Sequence, residues 1–152
     1  MGRTVWGLVG LGAVGIDHKK PPEGKVIVTT TRSHSSQTIN DAVAAIKPDE
    51  VLRVGGAGHK VLLVIEGKAH AYVFASRGCR KWDTCAPQAV LESLGGKLTD
   101  MFGHELTYDK DVNQTNELGV LATYDALSAH SLYCSKVPED VKATLLSKQQ
   151  KL

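Results

Sequence analysis

The chain has 152 residues, of which 42% are hydrophobic and 22% are charged, a composition typical of one globular domain. The net charge of +2 and the aromatic content of 5% do not indicate nucleic-acid binding. No apolar run approaches the roughly 20 residues of a membrane span. The odd number of cysteines (three) favours a reducing compartment, so we expect a cytoplasmic protein. The sequence has no C-x-x-C pair, so a zinc site is not indicated.

Residues 4–16 are rich in glycine and contain G-L-G-A-V-G at 10–15, a literal G-x-G-x-x-G. In a dinucleotide-binding domain this loop opens a helix. Here Pro21 arrives too soon for a helix of normal length, and the polar residues before it have no apolar stripe. We interpret these glycines as strand and turn residues, followed by a linker or surface loop at 17–24.

The next part of the chain alternates between runs rich in β-branched residues and segments with helical periodicity. In the first helix Ile39, Val43 and Ile46 share one face, and Pro48 ends it. In chain order the predicted elements are a strand at 25–30, a helix at 36–46, a strand at 51–54, a helix opened by the turn at 55–58 and ending at 67, and a strand at 71–75.

The following helix begins near Asp83, which we predict as its N-cap, with Pro87 in the first turn. Val90, Leu91 and Leu94 form its apolar stripe, and a pair of glycines ends it. The remaining predicted elements are a strand at 97–99, a returning segment at 105–108, a polar loop at 109–118, a strand at 119–123, helices at 124–134 and 138–147, and a frayed tail from 148. This alternation predicts a layered α/β domain.

Three polar or glycine-rich junctions, at 31–35, 55–60 and 78–84, connect strands to helices and are expected at one edge of the sheet. They offer His34, Lys60, Asp83 and bare glycine backbone, a combination suited to an anionic, phosphorylated ligand with a divalent metal.

Each candidate also has a structural alternative. In this alternative the glycines at 55–58 are ordinary turn residues. No Walker loop is present. Lys60 can be a solvated surface lysine, and His34 a loop residue without a partner. Local sequence favours Asp83 as a plain helix cap, and one carboxylate alone does not complete a Mg²⁺ site.

Several motifs nevertheless resemble one family in both order and spacing. They are K-W-D-T-C-A-P at 81–87, G-G-K-L-T-D at 95–100, T-T-T-R-S-H-S at 29–35, R-V-G-G-A-G at 53–58, E-G-K-A at 66–69 and Y-V-F-A-S at 72–76. Together they resemble the lithium-sensitive, magnesium-dependent phosphatases related to inositol monophosphatase, and within them the bisphosphate nucleotidases.

The resemblance implies hydrolysis of the 3′-phosphate of adenosine 3′,5′-bisphosphate, and of some inositol bisphosphates, with Mg²⁺ as cofactor. It assigns Asp83 as a metal ligand and Thr31, His34, Gly56 and Lys60 as contacts of the nucleotide. It also implies the layered α/β/α C-terminal domain of the sugar-phosphatase fold.

This sequence departs from the family pattern in three ways. His59 replaces an expected asparagine, Arg77 replaces an expected proline, and the motif Asp-Pro-x-Asp-Gly-Thr is absent. We therefore expect residues 1–24 to be the last strands of a truncated N-terminal domain plus a linker, and residues 25–152 to be the C-terminal α/β nucleotide-binding domain.

On this interpretation the catalytic residues and a packing partner lie in the missing N-terminal domain, and the chain alone is inactive. Two alternatives stay open: a non-catalytic module that binds a nucleotide or a partner, and a related inositol phosphate phosphatase.

Overall fold

The structure is a computed structural model that describes residues 2–147. The strands in that range are β1 (Trp6–Leu8), β2 (Gly12–Val14), β3 (Ile27–Thr31), β4 (Glu50–Val54), β5 (Ala71–Phe74), β6 (Lys97–Thr99) and β7 (Val120–Thr123). The helices are α1 (Gln37–Ile46), α2 (Ala57–Ile65), α3 (Lys81–Ser93), α4 (Ala129–Lys136) and α5 (Glu139–Ser147). The tail predicted to fray lies outside the described residues.

The glycine-rich N-terminal segment forms an antiparallel hairpin and does not open a helix, as predicted. Trp6 on β1 pairs with Val14 on β2. The hairpin packs closely on α3, because a Cβ added at Gly7 would lie 2.6 Å from Ser93 Oγ and 2.9 Å from the Cα of Val90. A glycine is therefore needed where the strand crosses the helix.

The large sheet has the order β4-β3-β5-β7-β6. β3 pairs in parallel with both β4 and β5, whereas β7 runs antiparallel to β5 and β6. Helix α1 contacts both α4 and α5, and α2 packs against α3. The strand–helix alternation thus produces the predicted layered α/β architecture, with a core of buried aliphatic side chains.

Helix α1 shows how local sequence sets these boundaries. Its N-cap Ser36 accepts a hydrogen bond from the backbone N–H of Ile39 at 3.4 Å. The C-cap Lys47 adopts a left-handed conformation with φ 57°, and Pro48 follows it. The buried face contains the predicted apolar residues of the helix together with Ala42.

The predicted returning segment at 105–108 reaches the sheet through one antiparallel bridge, between Thr99 and Glu105, and forms no strand. Asp100 accepts hydrogen bonds from the N–H groups of Phe102 and His104, which fixes a turn before this segment. The next helix begins at 129 and not at 124, because Asp125 binds backbone N–H groups ahead of it.

Residues 17–24 form a mostly exposed loop, held to the rest of the structure at defined points. The N–H of Lys19 donates to the carbonyl of Ile65 at 3.0 Å. A Cβ added at Gly67 would lie 2.6 Å from the carbonyl oxygen of Lys20, so the two backbones are in close contact. No helix among the described residues combines the length and hydropathy that a bilayer crossing requires.

A buried histidine, His130, contacts the threonines that end β6 and β7. The ring nitrogens of His130 lie 2.8 Å from Thr99 Oγ1 and 2.9 Å from Thr123 Oγ1. Burial lowers the pKa of His130 from its usual 6.5 to about 4. The folded chain therefore holds this imidazole neutral at a pH where the unfolded chain protonates it.

We expect the free energy of unfolding to decrease as the pH falls from 6.5 to about 4, because only the unfolded chain then binds the extra proton. The loss from this group amounts to about 3 kcal/mol. Urea denaturation across this range measures it, with His130→Gln as the control that cannot titrate. An equally steep pH dependence in that variant would contradict the assignment.

Candidate functional site

One cavity at the edge of the large sheet is lined by all five residues that the sequence predicted for the site. Its volume is about 190 Å³. Thr31 ends β3 and His34 follows it, Gly56 and Lys60 belong to the start of α2, and Asp83 lies in the first turn of α3. The structure thus brings together three junctions that are far apart in the sequence.

Parallel pairing explains why these junctions meet. β3 lies between β4 and β5 and runs parallel to both, so the strand ends at Thr31, Val54 and Phe74 lie at the same edge of the sheet. In sheets of this kind, ligands bind beyond the carboxyl ends of the strands.

The loop after β3 presents a hydroxyl and an imidazole to the cavity. Thr31 is buried, and its Oγ1 accepts a hydrogen bond from the backbone N–H of His34 at 3.4 Å. This bond closes a turn that fixes the course of the loop. The His34 side chain is exposed and lines the cavity from its solvent side.

Gly56 combines an unusual backbone conformation with the start of a helix. It is the N-cap of α2 and has φ 76°, in the left-handed range that favours glycine. The N-terminus of a helix has backbone N–H groups without helical partners, and these attract anions. The glycine therefore brings bare backbone donors to the wall of the cavity.

Lys60 is not the solvated surface lysine that the sequence left open. It is 3% exposed, and its Nζ donates to the carbonyl of Gly56 at 2.9 Å. Burial lowers its pKa, an effect that the negative charge of Asp83 opposes. The cavity therefore contains a partly desolvated ammonium group near a carboxylate.

The prediction of Asp83 as N-cap was wrong, because helix α3 begins two residues before it. Arg80 is the N-cap, and Asp83 occupies the third helical position, where its Oδ2 accepts the backbone N–H of Arg80 at 2.9 Å. A carboxylate at this position completes one half of a capping box and is favoured by the helix dipole. One oxygen of Asp83 thus orients the side chain within the cavity wall.

Pro87 was also placed too early, since it is the seventh residue of α3. A proline has no backbone N–H, so it cannot donate to the carbonyl of Asp83, which would be its helical partner. The helix nevertheless continues to Ser93.

The family is decided by comparison with known proteins. A model of the inositol monophosphatase family matches residues 2–140. The chain belongs to the inositol monophosphatase family. It is 58% identical over 146 residues to 3′(2′),5′-bisphosphate nucleotidase 1 of Rattus norvegicus and to that of Homo sapiens, covering 96% of this chain and 46% of each relative. The chain thus spans about half the length of the curated relatives it matches, and the family resemblance is confirmed.

Solved structures of this family share the fold at low sequence identity. Inositol monophosphatase II from Staphylococcus aureus MSSA476 superposes with a TM-score of 0.69 at 16% identity, covering 95% of this chain and 54% of its own. A 2′AMP-bound SaIMPase-II gives 0.66 at 14%, covering 95% and 55%. A Ca-bound IMPase family protein from Staphylococcus aureus gives 0.63 at 19%, covering 88% and 51%. These similarities confirm the predicted fold.

Enzymes of the inositol monophosphatase family are generally metal-dependent, which raises the question of what this chain can offer a cation. Asp83 brings a half-buried carboxylate to the cavity, a donor that hard divalent cations prefer. Among residues 2–147 no group of three His, Cys, Asp or Glu side chains is placed to hold a metal ion. The described residues therefore fit one position of a metal shell and do not complete it.

Other residues that were not predicted as ligand contacts line the cavity, and Asn116 outside it supports the start of α3. Tyr72 and Cys79 line the cavity, and burial raises the pKa of the Cys79 thiol to about 11, so it is protonated at neutral pH. Asn116 is buried behind α3, where its Nδ2 lies 3.2 Å from both the Arg80 carbonyl and Thr84 Oγ1. Tyr72 comes from a segment that the sequence indicates only as a buried strand, whereas Cys79 lies within the predicted junction at 78–84.

His59 and Arg77, the two residues that depart from the expected family pattern, lie in different segments. His59 is exposed on the first turn of α2, directly before Lys60. Arg77 forms an ion pair with Glu117, which joins the loop before α3 to the polar loop after residue 108. A larger cavity of about 350 Å³ borders that polar loop, but none of the five predicted site residues lines it.

The backbone of Gly56 allows a direct test of this cavity wall. We expect Gly56→Ala to lower the free energy of unfolding by about 1–2 kcal/mol, because alanine is strained at φ 76°. Gly55→Ala is the matched control, since a Cβ there meets nothing within 4 Å. Chemical denaturation of both variants measures the difference, and equal losses would contradict a special role for Gly56.

Proposed function

We propose that this chain forms the nucleotide-binding half of a 3′(2′),5′-bisphosphate nucleotidase, which hydrolyses the 3′-phosphate of adenosine 3′,5′-bisphosphate to AMP and phosphate. The observation that carries the proposal is the single cavity lined by Thr31, His34, Gly56, Lys60 and Asp83. The identity of 58% to curated enzymes of that name supports the choice of substrate class.

The chemistry of the cavity suits an anionic nucleotide. The backbone N–H groups in the first turn of α2 and the buried ammonium of Lys60 attract phosphate oxygens. Thr31 adds a hydroxyl, and His34 adds an imidazole at the solvent side. In this assignment the four residues bind and orient the nucleotide.

Asp83 is proposed as one ligand of Mg²⁺, with the other ligands supplied from outside the described residues. Bound Mg²⁺ would lower the pKa of a coordinated water and neutralise negative charge on the phosphate. The chain's own contribution is a carboxylate whose Oδ2 is held by the N–H of Arg80, so its direction is set by the start of α3.

We assign the N-terminal hairpin to a preceding domain that packs on it, with the linker at 17–24 between the two. Its support is a set of large apolar side chains that are exposed on the hairpin: Trp6, Leu8, Val9, Leu11 and Val14. Three free cysteines suit the reducing cytoplasm as the proposed location.

A second candidate is a module that binds the nucleotide without turnover. This candidate is favoured by the poor metal site. Among the described residues, only one carboxylate lines the cavity, and no group of three metal-binding side chains is present. Both candidates expect no turnover by the isolated chain. Phosphate release by the chain itself would therefore contradict both.

We expect the chain alone to release no phosphate from adenosine 3′,5′-bisphosphate with Mg²⁺. A chimera in which this chain replaces the matching 146 residues of the rat relative should release it, because the remaining half then supplies the missing metal ligands. Inorganic phosphate is measured in both, with inositol 1,4-bisphosphate as the competing substrate. An inactive but folded chimera, or preference for the inositol phosphate, would contradict the proposed substrate.

In the active chimera, Asp83→Asn should reduce turnover by about a hundredfold or more, because a neutral amide is a poor ligand for Mg²⁺. The neighbouring capping bond persists, since an amide oxygen still accepts the N–H of Arg80. Asp109→Asn, on the polar loop away from the cavity, is the matched control. Unchanged turnover in Asp83→Asn would exclude Asp83 as a metal ligand.

A further inference from the structure

The buried ammonium of Lys60 is held at two points. One is the carbonyl of Gly56, 2.9 Å from Nζ, and the other is the aromatic ring of Tyr72, whose centroid lies 5.0 Å from Nζ. An ammonium within about 6 Å of a ring centroid is attracted by the negative face of the ring. The ring contact is the only one of the two that involves a side chain.

Tyr72 is fixed much more firmly than a loop residue would be. It lies on the central strand β5, where it pairs with Thr29 of β3 and with Ala122 of β7. Its side chain is 2% exposed, and its ring lies 6.4 Å from that of Phe74. The position of the ring is therefore set by the core of the sheet.

A lysine side chain in an open cavity is expected to extend to water unless contacts hold it inside. Its four-carbon stem is flexible, and the strongly hydrated head normally extends to water. The cavity is open to solvent beside Gly56 and His34, both of which are exposed. A rigid aromatic face below the ammonium offsets part of its desolvation and keeps the head inside.

We propose that Tyr72 is a positioning residue, whose ring face holds the Lys60 ammonium in the cavity where it meets the negative charge of the nucleotide. The inference rests on the proposed function for the identity of that charge. The ring performs this task, and the hydroxyl is not required for it. Tyr72→Phe therefore keeps the contact between the ring and the Lys60 ammonium, and Tyr72→Leu removes it.

The first measurement requires no ligand. Competitive labelling with acetic anhydride, followed by mass spectrometry, reports how accessible the Lys60 amine is. We expect its labelling rate to rise by about threefold or more in Tyr72→Leu, because the head then extends to water. Tyr72→Phe should label like the wild type. Tyr133→Leu removes a buried ring on α4 away from the cavity and controls for loss of stability.

The second measurement is the affinity of the chain for AMP by titration calorimetry. We expect Tyr72→Leu to weaken binding by about tenfold and Tyr72→Phe by less than about twofold. In a Lys60→Gln background, Tyr72→Leu should have almost no further effect, because the ring acts through the ammonium. Tyr133→Leu should bind like the wild type.

The outcomes separate this inference from the proposed function. Unchanged Lys60 labelling in Tyr72→Leu overturns the positioning role, as does a Tyr72→Phe variant that behaves like Tyr72→Leu. A full tenfold loss that persists in the Lys60→Gln background also overturns it. If the wild-type chain binds no AMP, nucleotide binding by the chain alone is contradicted, while the labelling result still decides the role of Tyr72.

Discussion

The parallel pairing of β3 with both β4 and β5 determines which side chains meet in the cavity. It aligns Thr31 with Val54 at the same edge of the sheet and brings the start of α3 to the same place. A hydroxyl, a helix N-terminus, a lysine and a carboxylate then meet in one small cavity. A change in strand order would separate them, even with every side chain retained.

The cavity also has an energetic cost. Lys60 is buried, and burying an ammonium is unfavourable unless other groups compensate for its lost hydration. The carbonyl of Gly56, the ring of Tyr72 and the charge of Asp83 provide that compensation in the free chain. A bound anion would add to it, so the site is built to gain from a negatively charged ligand.

Much of this arrangement could be predicted from the sequence, because strong local signals determined it. Ser36, Pro48 and the glycine-rich turn before α2 bounded their helices correctly. The start of α3 was missed because Arg80 is an unusual N-cap, and the acidic side chain three residues later resembled one. The burial of Lys60 could not be predicted, since it depends on how α2 packs against β5, the strand that carries Tyr72.

Amide NMR of the 16.3 kDa chain during titration with AMP shows whether the three junctions form one nucleotide site. We expect saturable shifts for the amides of Thr31, Gly56 and Lys60, and much weaker binding of uncharged adenosine. Shifts that do not saturate, or that concentrate around the cavity beside residues 105–119, would contradict this expectation.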